Sequence, residues 1–591
     1  MIIFFNIFFS LIYFFFLHFF IWGYGSVIKE KYIKNLNFGE TGVYGLIIVY
    51  LITLFIHYIY PINYLVIYII KIVGIFFALK NYSLIKKLNY KIIIKVLIIF
   101  IILFICSLTT TVHDDFYWYH LPTINYIHEN KIIFGLASLN DQLGYGQGYF
   151  YFSTLFLDPY FKSNFIYHPS LIILTFFLVF MIEDNYKNKM LENKILFYIF
   201  FSIIFLKFTR FKEYGADIFA FCILGMISYY LIKFYKNNQL DNLIKSITLL
   251  IFGFFIKQYV IIIVFFFTYY LFKLKIKVFE IFKNRLFLII IFLIIALSSI
   301  KNIIQTGCIV YPIPTTCISI NEVKWGLGKD VAKKRFDHLQ AYAKGIRIKA
   351  KNSESADLNA EKYLYEHKYN FHKQLINYKD HKDLEKIAIV VILILAFKII
   401  LKKSSKLNYK INFSNYKIFV FIFSILMSFI YWIWEAPSMR FGGYIFIIIP
   451  LFVFLFFLPM QKNNIYINFR KINILVILIT VIFLFKNINR ISGEIVKNKN
   501  FPKHNIINID FSVSDRFILP VNISNHEYFC GNIKTICSPK ANTNSVSLIE
   551  KKKSYYFIYP NRLDHISKID KELNDIMYSI EKFSPNYVPK K

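Results

Sequence analysis

The sequence predicts an all-α integral membrane protein with about 13 or 14 transmembrane helices, and three observations predict it. Runs of roughly 17 or more near-uncharged residues recur along the chain, each long enough to cross a hydrocarbon core of about 30 Å. Hydrophobic residues make up 57% of the 591, and the mean hydropathy is +0.50. The lysines sit in short linkers between the apolar runs, as the positive-inside rule requires. A soluble chain of this length would need several separate cores, and no amphipathic period dominates here.

Taken in order, the apolar runs fall near 2–22, 43–60, 62–79, 92–108, 165–182, 195–208, 216–232, 246–256, 258–272, 286–303, 387–401, 416–434, 441–459 and 472–486. Residues 1–22 lack a basic leader and a small-x-small cleavage site before Lys29, so they read as a retained first span. The basic linkers Lys29–Lys34, Lys80–Lys95, Lys187–Lys194, Lys233–Lys245, Lys273–Arg285, Lys402–Lys410 and Lys462–Lys471 all fall on one side, taken as cytoplasmic. The alternation divides the chain into N-terminal helices (1–108), a first large extracytoplasmic loop (109–164), central helices (165–303) and a second such loop (304–386). C-terminal helices (387–486) and an extracytoplasmic tail (487–591) complete it. The middle of the second loop, Ala332 to His372, reads as helical surface with mixed charge.

Residues 246–272 are flanked by lysines at both ends, so one crossing would break the alternation. They read as a hairpin of two arms of about 12 residues, each rising only about 18 Å, with Lys257 at its tip. A lysine there either snorkels at a helix end or faces a protein-lined polar cavity.

The net charge of +34 follows from the cytoplasmic lysines and does not call for a nucleic-acid partner; the bilayer is the partner it implies. The excess of Ile, Lys, Asn, Phe and Tyr resembles the bias of an AT-rich genome, so the 20% aromatic content says little about function. Of the six cysteines, Cys106 and Cys222 lie in or beside spans and read as packing residues. Cys308 and Cys317, and Cys530 and Cys537, pair by proximity on the face assigned as extracytoplasmic, where disulfides persist. Four free thiols are the alternative; neither pair has zinc-ligand spacing.

Chemistry concentrates in the first outer loop. Asp114 and Asp115 are adjacent carboxylates that raise one another's pKa unless a cation compensates. Such a group suits a general base, or an oxygen ligand for a divalent cation such as Mg2+ or Mn2+. His113, His120 and His128 follow without HExxH spacing, and Gly144, Gly146 and Gly148 lack the ending of a P-loop. His120 precedes Leu121-Pro122, where it could instead hydrogen-bond at a helix start. The topology adds Asp141, Glu213, Asp217 and Glu435 to the same face. Lys257, Lys301 and Arg440 join them and could balance a phosphate. Each acidic residue alone also fits a solvated loop.

In these residues the chain resembles the GT-C class of polytopic glycosyltransferases, most closely bacterial enzymes that use polyprenyl-phosphate sugars, akin to the mannosyl- and aminoarabinose transferases. The resemblance rests on Asp115-x3-Tyr119-His120-Leu121-Pro122, Phe134-Gly135-Leu136-Ala137-Ser138-Leu139 and Glu213-Tyr214-Gly215-Ala216-Asp217. It continues through Lys257, Lys301-Asn302-x4-Gly307-x3-Tyr311-Pro312, Ala436-Pro437-Ser438-Met439-Arg440-Phe441 and Cys530-x6-Cys537-Ser538-Pro539. It departs from the class at Lys301, where an Arg is expected, at Gln142 and at Ser438-Met439. It implies a multi-pass cell-membrane enzyme with its site on the extracytoplasmic side. Asp115 would be the catalytic carboxylate, or a metal ligand, with Asp114 assisting. A lipid-phosphate donor would bind among His120, Asp217, Lys257, Lys301 and Arg440, and the acceptor would be a glycan, lipid or protein of the envelope. A surface-polysaccharide polymerase or ligase is the nearest rival. A transporter would favour paired broken helices in two related halves, whereas the sequence shows one hairpin and no repeat.

Overall fold

The computed structural model describes residues 2–31, 36–86, 89–107, 119–139, 141–146, 148–161, 165–187, 197–198, 200–205, 215–237, 239–267, 285–343, 364, 415–435, 469–497, 547–551, 554–558 and 577–578. These residues are nearly all helical. Seven helices among them are long and apolar enough to cross a membrane: Ile7–Glu30, Phe38–Ile59, Tyr90–Ser107, Pro169–Tyr186, Ala216–Phe234, Arg285–Thr306 and Val476–Gly493.

Helices α1 (Ile2–Lys31), α2 (Phe38–Ile59) and α3 (Tyr64–Lys80) form the first packed group. They pack closely because glycines meet backbone: a Cβ on Gly23 would strike the Gly74 carbonyl, and one on Gly25 the Thr41 carbonyl. Small residues let membrane helices approach in this way, where lipid offers no hydrophobic drive to associate. Helix α4 (Tyr90–Ser107) exposes Ile94, Leu97, Ile98, Ile101 and Ile105 on one face, the pattern of a lipid-facing helix.

The stretch expected from the sequence to be the first outer loop contains α5 (Leu121–Glu129), one helical turn at Leu136–Leu139, a 3-10 turn at Asp141–Tyr145 and α6 (Tyr149–Leu155). Helices α7 (Pro169–Lys187) and α8 (Ala216–Asn237) follow. The buried faces of both lie in the main hydrophobic core together with those of α1 and α2.

Helix α9 spans Leu240–Ile256 and ends at Lys257, which is extended (φ −155°, ψ 117°). A 3-10 helix, Gln258–Phe267, continues the chain. The break at Lys257 therefore lies where the sequence places a hairpin tip, but two details differ. The first arm begins at Leu240, so Lys245 is a buried helical residue and not part of a linker. The second arm is 3-10, in a run dominated by β-branched and aromatic side chains that crowd an α-helix.

Helix α10 (Arg285–Thr306) buries Phe287, Ile290, Ile294, Ser298, Lys301, Asn302 and Gln305, a stripe at helical spacing. Its other face exposes Ile289, Phe292, Leu293 and Ile295. The buried stripe is apolar in its first half and polar in its last two turns.

Helix α11 (Gly328–Ala343) follows the Cys308–Cys317 loop. The sequence reads Ala332 to His372 as helical surface with mixed charge. In the described part of that stretch one face is docked, with Ala332, Ala341 and Ala343 buried, and the preceding Leu327 packs with Ala137, Tyr311, Cys308 and Cys317 in a second small core. Helices α12 (Asn415–Glu435) and α13 (Phe469–Lys497) complete the described helices. In the tail, β1 (Ser547–Lys551) pairs antiparallel with β2 (Ser554–Ile558) and β3 (Met577–Tyr578), in the order β2-β1-β3.

Candidate functional site

The site begins where α8 begins. Gly215 has φ +47°, a left-handed conformation that favours glycine, and its carbonyl accepts a hydrogen bond from the Ser170 hydroxyl. Ser170 also bonds the Tyr149 hydroxyl at 3.1 Å. This fixes the first turn of α8, whose Asp217 is 3% exposed. The break after α9 brings Lys257 onto Asp217 in an ion pair, with the ammonium 5.3 Å from the centre of the Tyr259 ring.

His120 completes this group. Pro122 stands in the first turn of α5, but His120 makes no capping bond with its side chain. Its Nδ1 lies 2.9 Å from the Tyr167 hydroxyl, and its ring faces Gly215, where an added Cβ would come within 3.6 Å of Cε1. His120, Asp217 and Lys257, distant in sequence, therefore share one end of the bundle.

Lys301 lies on α10. It is 2% exposed, and its ammonium donates to the Gly146 carbonyl at 2.6 Å and lies 5.7 Å from the centre of the Tyr151 ring. Tyr151 is in turn held by His57, whose Nδ1 is 2.9 Å from the tyrosine hydroxyl while its Nε2 reaches the Asn130 carbonyl. Two bonds join this half to the broken helix: the Gly148 amide donates to the Phe255 carbonyl at 2.9 Å, and Gln258 Nε2 to the Tyr311 carbonyl at 2.6 Å. The loop carrying Tyr311 is closed by a Cys308–Cys317 disulfide.

Above this floor sits α11. Arg335 pairs with Asp141 at 3.1 Å, and its Nε also reaches the Tyr145 hydroxyl at 2.6 Å. Burial opposes its charge, but the Asp141 carboxylate and the Tyr145 hydroxyl outweigh that and hold the guanidinium more firmly protonated than usual. Tyr145 lies 5.9 Å from Tyr119 and 6.3 Å from Tyr311, ring centre to ring centre. Five residues on, Gln340 Nε2 donates to Glu435 at the end of α12, at 2.8 Å. Helix α11 is thus tied to the 3-10 turn on one side and to α12 on the other, covering the ground between.

Several residues singled out in the sequence are elsewhere. His128 bonds Glu129 at 2.9 Å and packs edge-on to Tyr64. Asp114, Asp115, His113, Glu213, Arg440, Cys530 and Cys537 lie outside the described residues. Among the described residues no group of three His, Cys, Asp or Glu side chains is placed to hold a metal ion. Arg335, Tyr145, Tyr151 and His57 were not legible as site residues. Tyr145 stands among the alternating glycines 144, 146 and 148, which drew attention from it, Tyr151 and Arg335 stand in aromatic and mixed-charge stretches, and His57 lies inside an apolar run.

No curated protein and no solved structure matches the chain. One family model does, over residues 4–447, a span that encloses every side chain of the site and ends before the strands of the tail. The chain belongs to the family described as Domain of unknown function (DUF8201).

Proposed function

We propose that this protein is a membrane glycosyltransferase that moves a sugar from a polyprenyl-phosphate donor to a cell-envelope acceptor at the outer face of the membrane. The observation that carries the reading is the convergence of His120, Asp217 and Lys257 at a broken helix, with Lys301 nearby, beneath the loop that follows Asp114 and Asp115. Buried ionisable groups at the end of a membrane bundle mark sites of chemistry or binding.

In this reading Asp115 takes the proton of an acceptor hydroxyl. The freed oxygen attacks the anomeric carbon as the bond to the phosphate oxygen breaks, and the electron pair leaves with polyprenyl phosphate. Inversion follows from attack opposite the leaving group. Cations on the bundle side stabilise the departing phosphate. His120 and Asp217 orient the sugar and the cation Lys257, and Arg440 is the further phosphate contact proposed from the sequence.

The test compares cells carrying the wild-type gene, a deletion and Asp115→Asn, following lipid-linked sugars and surface glycans by mass spectrometry. Loss of one surface sugar in both mutants, with its polyprenyl-phosphate form accumulating, is the expected result. Unchanged glycans in both, at normal protein abundance, would discard the reading. The broken helix at Lys257 also favours a transporter as the second reading, since half-helix ends line many transport sites. Proteoliposome flux of a small solute that Lys257→Met abolishes would promote it.

A further inference from the structure

We propose that the turn joining α3 to α4 is a docking surface for the headgroups of anionic phospholipids, in the leaflet at the bundle end opposite the His120–Lys257 site. The inference concerns a different face of the molecule and stands without sugar transfer.

The sequence isolates this patch. Between Glu40 and Asp114 the chain carries no Asp, Glu or Arg, and five of its six lysines there fall in 80–95. Helix α3 starts at the site's end of the bundle, where Tyr64 packs on His128 of α5, so Lys80 at its C-terminus lies at the far end. The fold then presents these lysines along lipid-facing stripes. Helix α3 exposes Ile72, Phe76 and Leu79, and α4 exposes Ile94, Ile98 and Ile101. At helical spacing the first stripe runs into exposed Lys80, and the second into exposed Lys91 and Lys95. Between the two helices, the single turn Ser83–Lys86 exposes Lys86. Tyr82 and Tyr90 are exposed beside them, with the Lys86 and Lys91 ammoniums 5.4 and 5.9 Å from the respective ring centres. Exposed tyrosine and lysine together at the end of an apolar stripe mark the headgroup level of a membrane.

The turn is anchored at both ends. Asn81, which ends α3, is buried, and its Nδ2 donates to the Ser26 hydroxyl of α1 at 2.8 Å. Asn89 Nδ2 donates to the Tyr186 hydroxyl of α7 at 3.0 Å, while its Oδ1 accepts the Lys91 amide at 2.9 Å and caps α4. Leu84 and Ile85 pack on the main core, which turns Tyr82 and Lys86 outward. Nothing cancels the charge so presented. Among the described residues no ion pair or side-chain hydrogen bond holds Lys80, Lys86, Lys91 or Lys95. At the neighbouring end of α7, Glu183 receives the Phe38 amide and Asp184 pairs with Lys233, and Glu30 on α1 pairs with none of the four. The buried lysines of the same protein differ: Lys245, Lys233 and Lys257 each meet a carboxylate. A zwitterionic headgroup brings as much positive charge as negative and leaves the four lysines unbalanced. An anionic headgroup balances them while its acyl chains lie along the exposed isoleucines of α4.

The experiment is a lipid titration of the purified full-length protein in detergent, read by native mass spectrometry. Its probes are phosphatidylglycerol and phosphatidylcholine with the same acyl chains, with inorganic phosphate as competitor at matched ionic strength. Wild type is expected to hold phosphatidylglycerol more tightly than phosphatidylcholine and to keep it in the presence of inorganic phosphate. Each lysine near an anionic headgroup contributes about five-fold, so Lys86→Gln with Lys91→Gln should weaken phosphatidylglycerol on the order of ten-fold or more and leave phosphatidylcholine unchanged. Lys80→Gln with Lys95→Gln should act likewise and serves as the second variant if the first does not fold. Lys333→Gln with Lys334→Gln removes the same charge from exposed positions on α11 and should leave the preference intact. Equal retention of the two lipids by wild type would overturn the inference. So would a preference that both patch variants keep, or one that the α11 control loses as fully as they do. Displacement of the lipid by inorganic phosphate would assign the lysines to a free anion and overturn it as well. The titration requires no turnover, so it and the glycan assay fail independently.

Discussion

The two ends of the bundle handle buried charge differently. At the end assigned as cytoplasmic, Asn37 and Glu40 form a capping box at the start of α2: the Asn37 amide donates to Glu40 Oε2 at 2.7 Å, and the Glu40 amide to Asn37 Oδ1 at 2.8 Å. The other Glu40 oxygen accepts from Tyr230 and from Lys245, and Lys245 is held again by Asp241. Glu183 meanwhile receives the Phe38 amide at 2.6 Å. Each charge is answered, often twice. At the other end Lys257 pairs with Asp217 and Arg335 with Asp141, but among the described residues Lys301 has only a carbonyl and Asn302 Oδ1 no partner, and the helix carrying Lys257 is broken. A saturated cluster fixes the order in which helices pack. An unsaturated one stores binding capacity at the expense of stability.

The sharpest way to break this comparison is to treat both lysines alike. Lys245→Met leaves Glu40 buried with a tyrosine and a cap but no cation, and removing one partner of a buried pair costs roughly 3–5 kcal/mol. The expected outcome is a large fall in Tm in detergent and little folded protein in the membrane fraction. Lys301→Met, by contrast, should leave the ligand-free protein at least as stable as wild type. If both substitutions destabilise equally, the two ends do not differ in kind.

The next largest effect concerns the rim of the outer site. Cys308 and Cys317 are nine residues apart in sequence, and closing so short a loop is worth about 2–3 kcal/mol. The loop also delivers the Tyr311 carbonyl to Gln258 and the Ile309 carbonyl to Asn302. Cys308→Ser with Cys317→Ser should therefore lower Tm and quicken hydrogen exchange in 258–267 and in the last turns of α10 together. A fall in Tm with exchange there unchanged would separate the loop from the site.

How much of this was legible in the sequence follows from what kind of signal each residue leaves. Apolar runs and basic linkers are local, so the membrane class could be read directly. Lys257 stood out because a lysine in the middle of an apolar run has few explanations, and the chain does break there. Lys301 stood out for a different reason: the topology puts it at the outer end of the run 286–303, and the Lys301-Asn302 pair belongs to the resemblance. Glu40 and Lys245 did not, because each sits near a span boundary, where a charge needs no explanation. Only the fold reveals that they meet across 205 residues. Arg335 failed for the converse reason. In Gly328–Ala343 it is one charge among six, and local composition hides which of them turns inward. The docked face betrays itself only weakly, through Ala332 and the alanines at 341 and 343. The carboxylates that began the argument, Asp114 and Asp115, lie outside the described residues.

Arg335→Gln tests the cover more gently than the disulfide does. Asp141 is about one-third exposed, so water takes over part of what the guanidinium gave, and the cost should be about 1–2 kcal/mol. The effect should be local. Hydrogen exchange should quicken in 141–146 and in α11 while α7 and α8 keep their protection. Uniform protection would mean that the Arg335 contacts to Tyr145 and Asp141 do not hold α11 down.

The smallest expected effect sets the baseline for the others. Lys333 lies two residues from Arg335 on the same helix but is exposed, and among the described residues no ion pair or hydrogen bond holds it. Lys333→Gln should change Tm by an amount corresponding to no more than about 0.5 kcal/mol and leave exchange in 141–146 untouched. The pair of substitutions differs in burial and contact, not in charge removed or in distance along the chain. If Lys333→Gln loosens the 3-10 turn as Arg335→Gln does, the docking of α11 depends on the net charge of the helix and not on the guanidinium that reaches Asp141 and Tyr145.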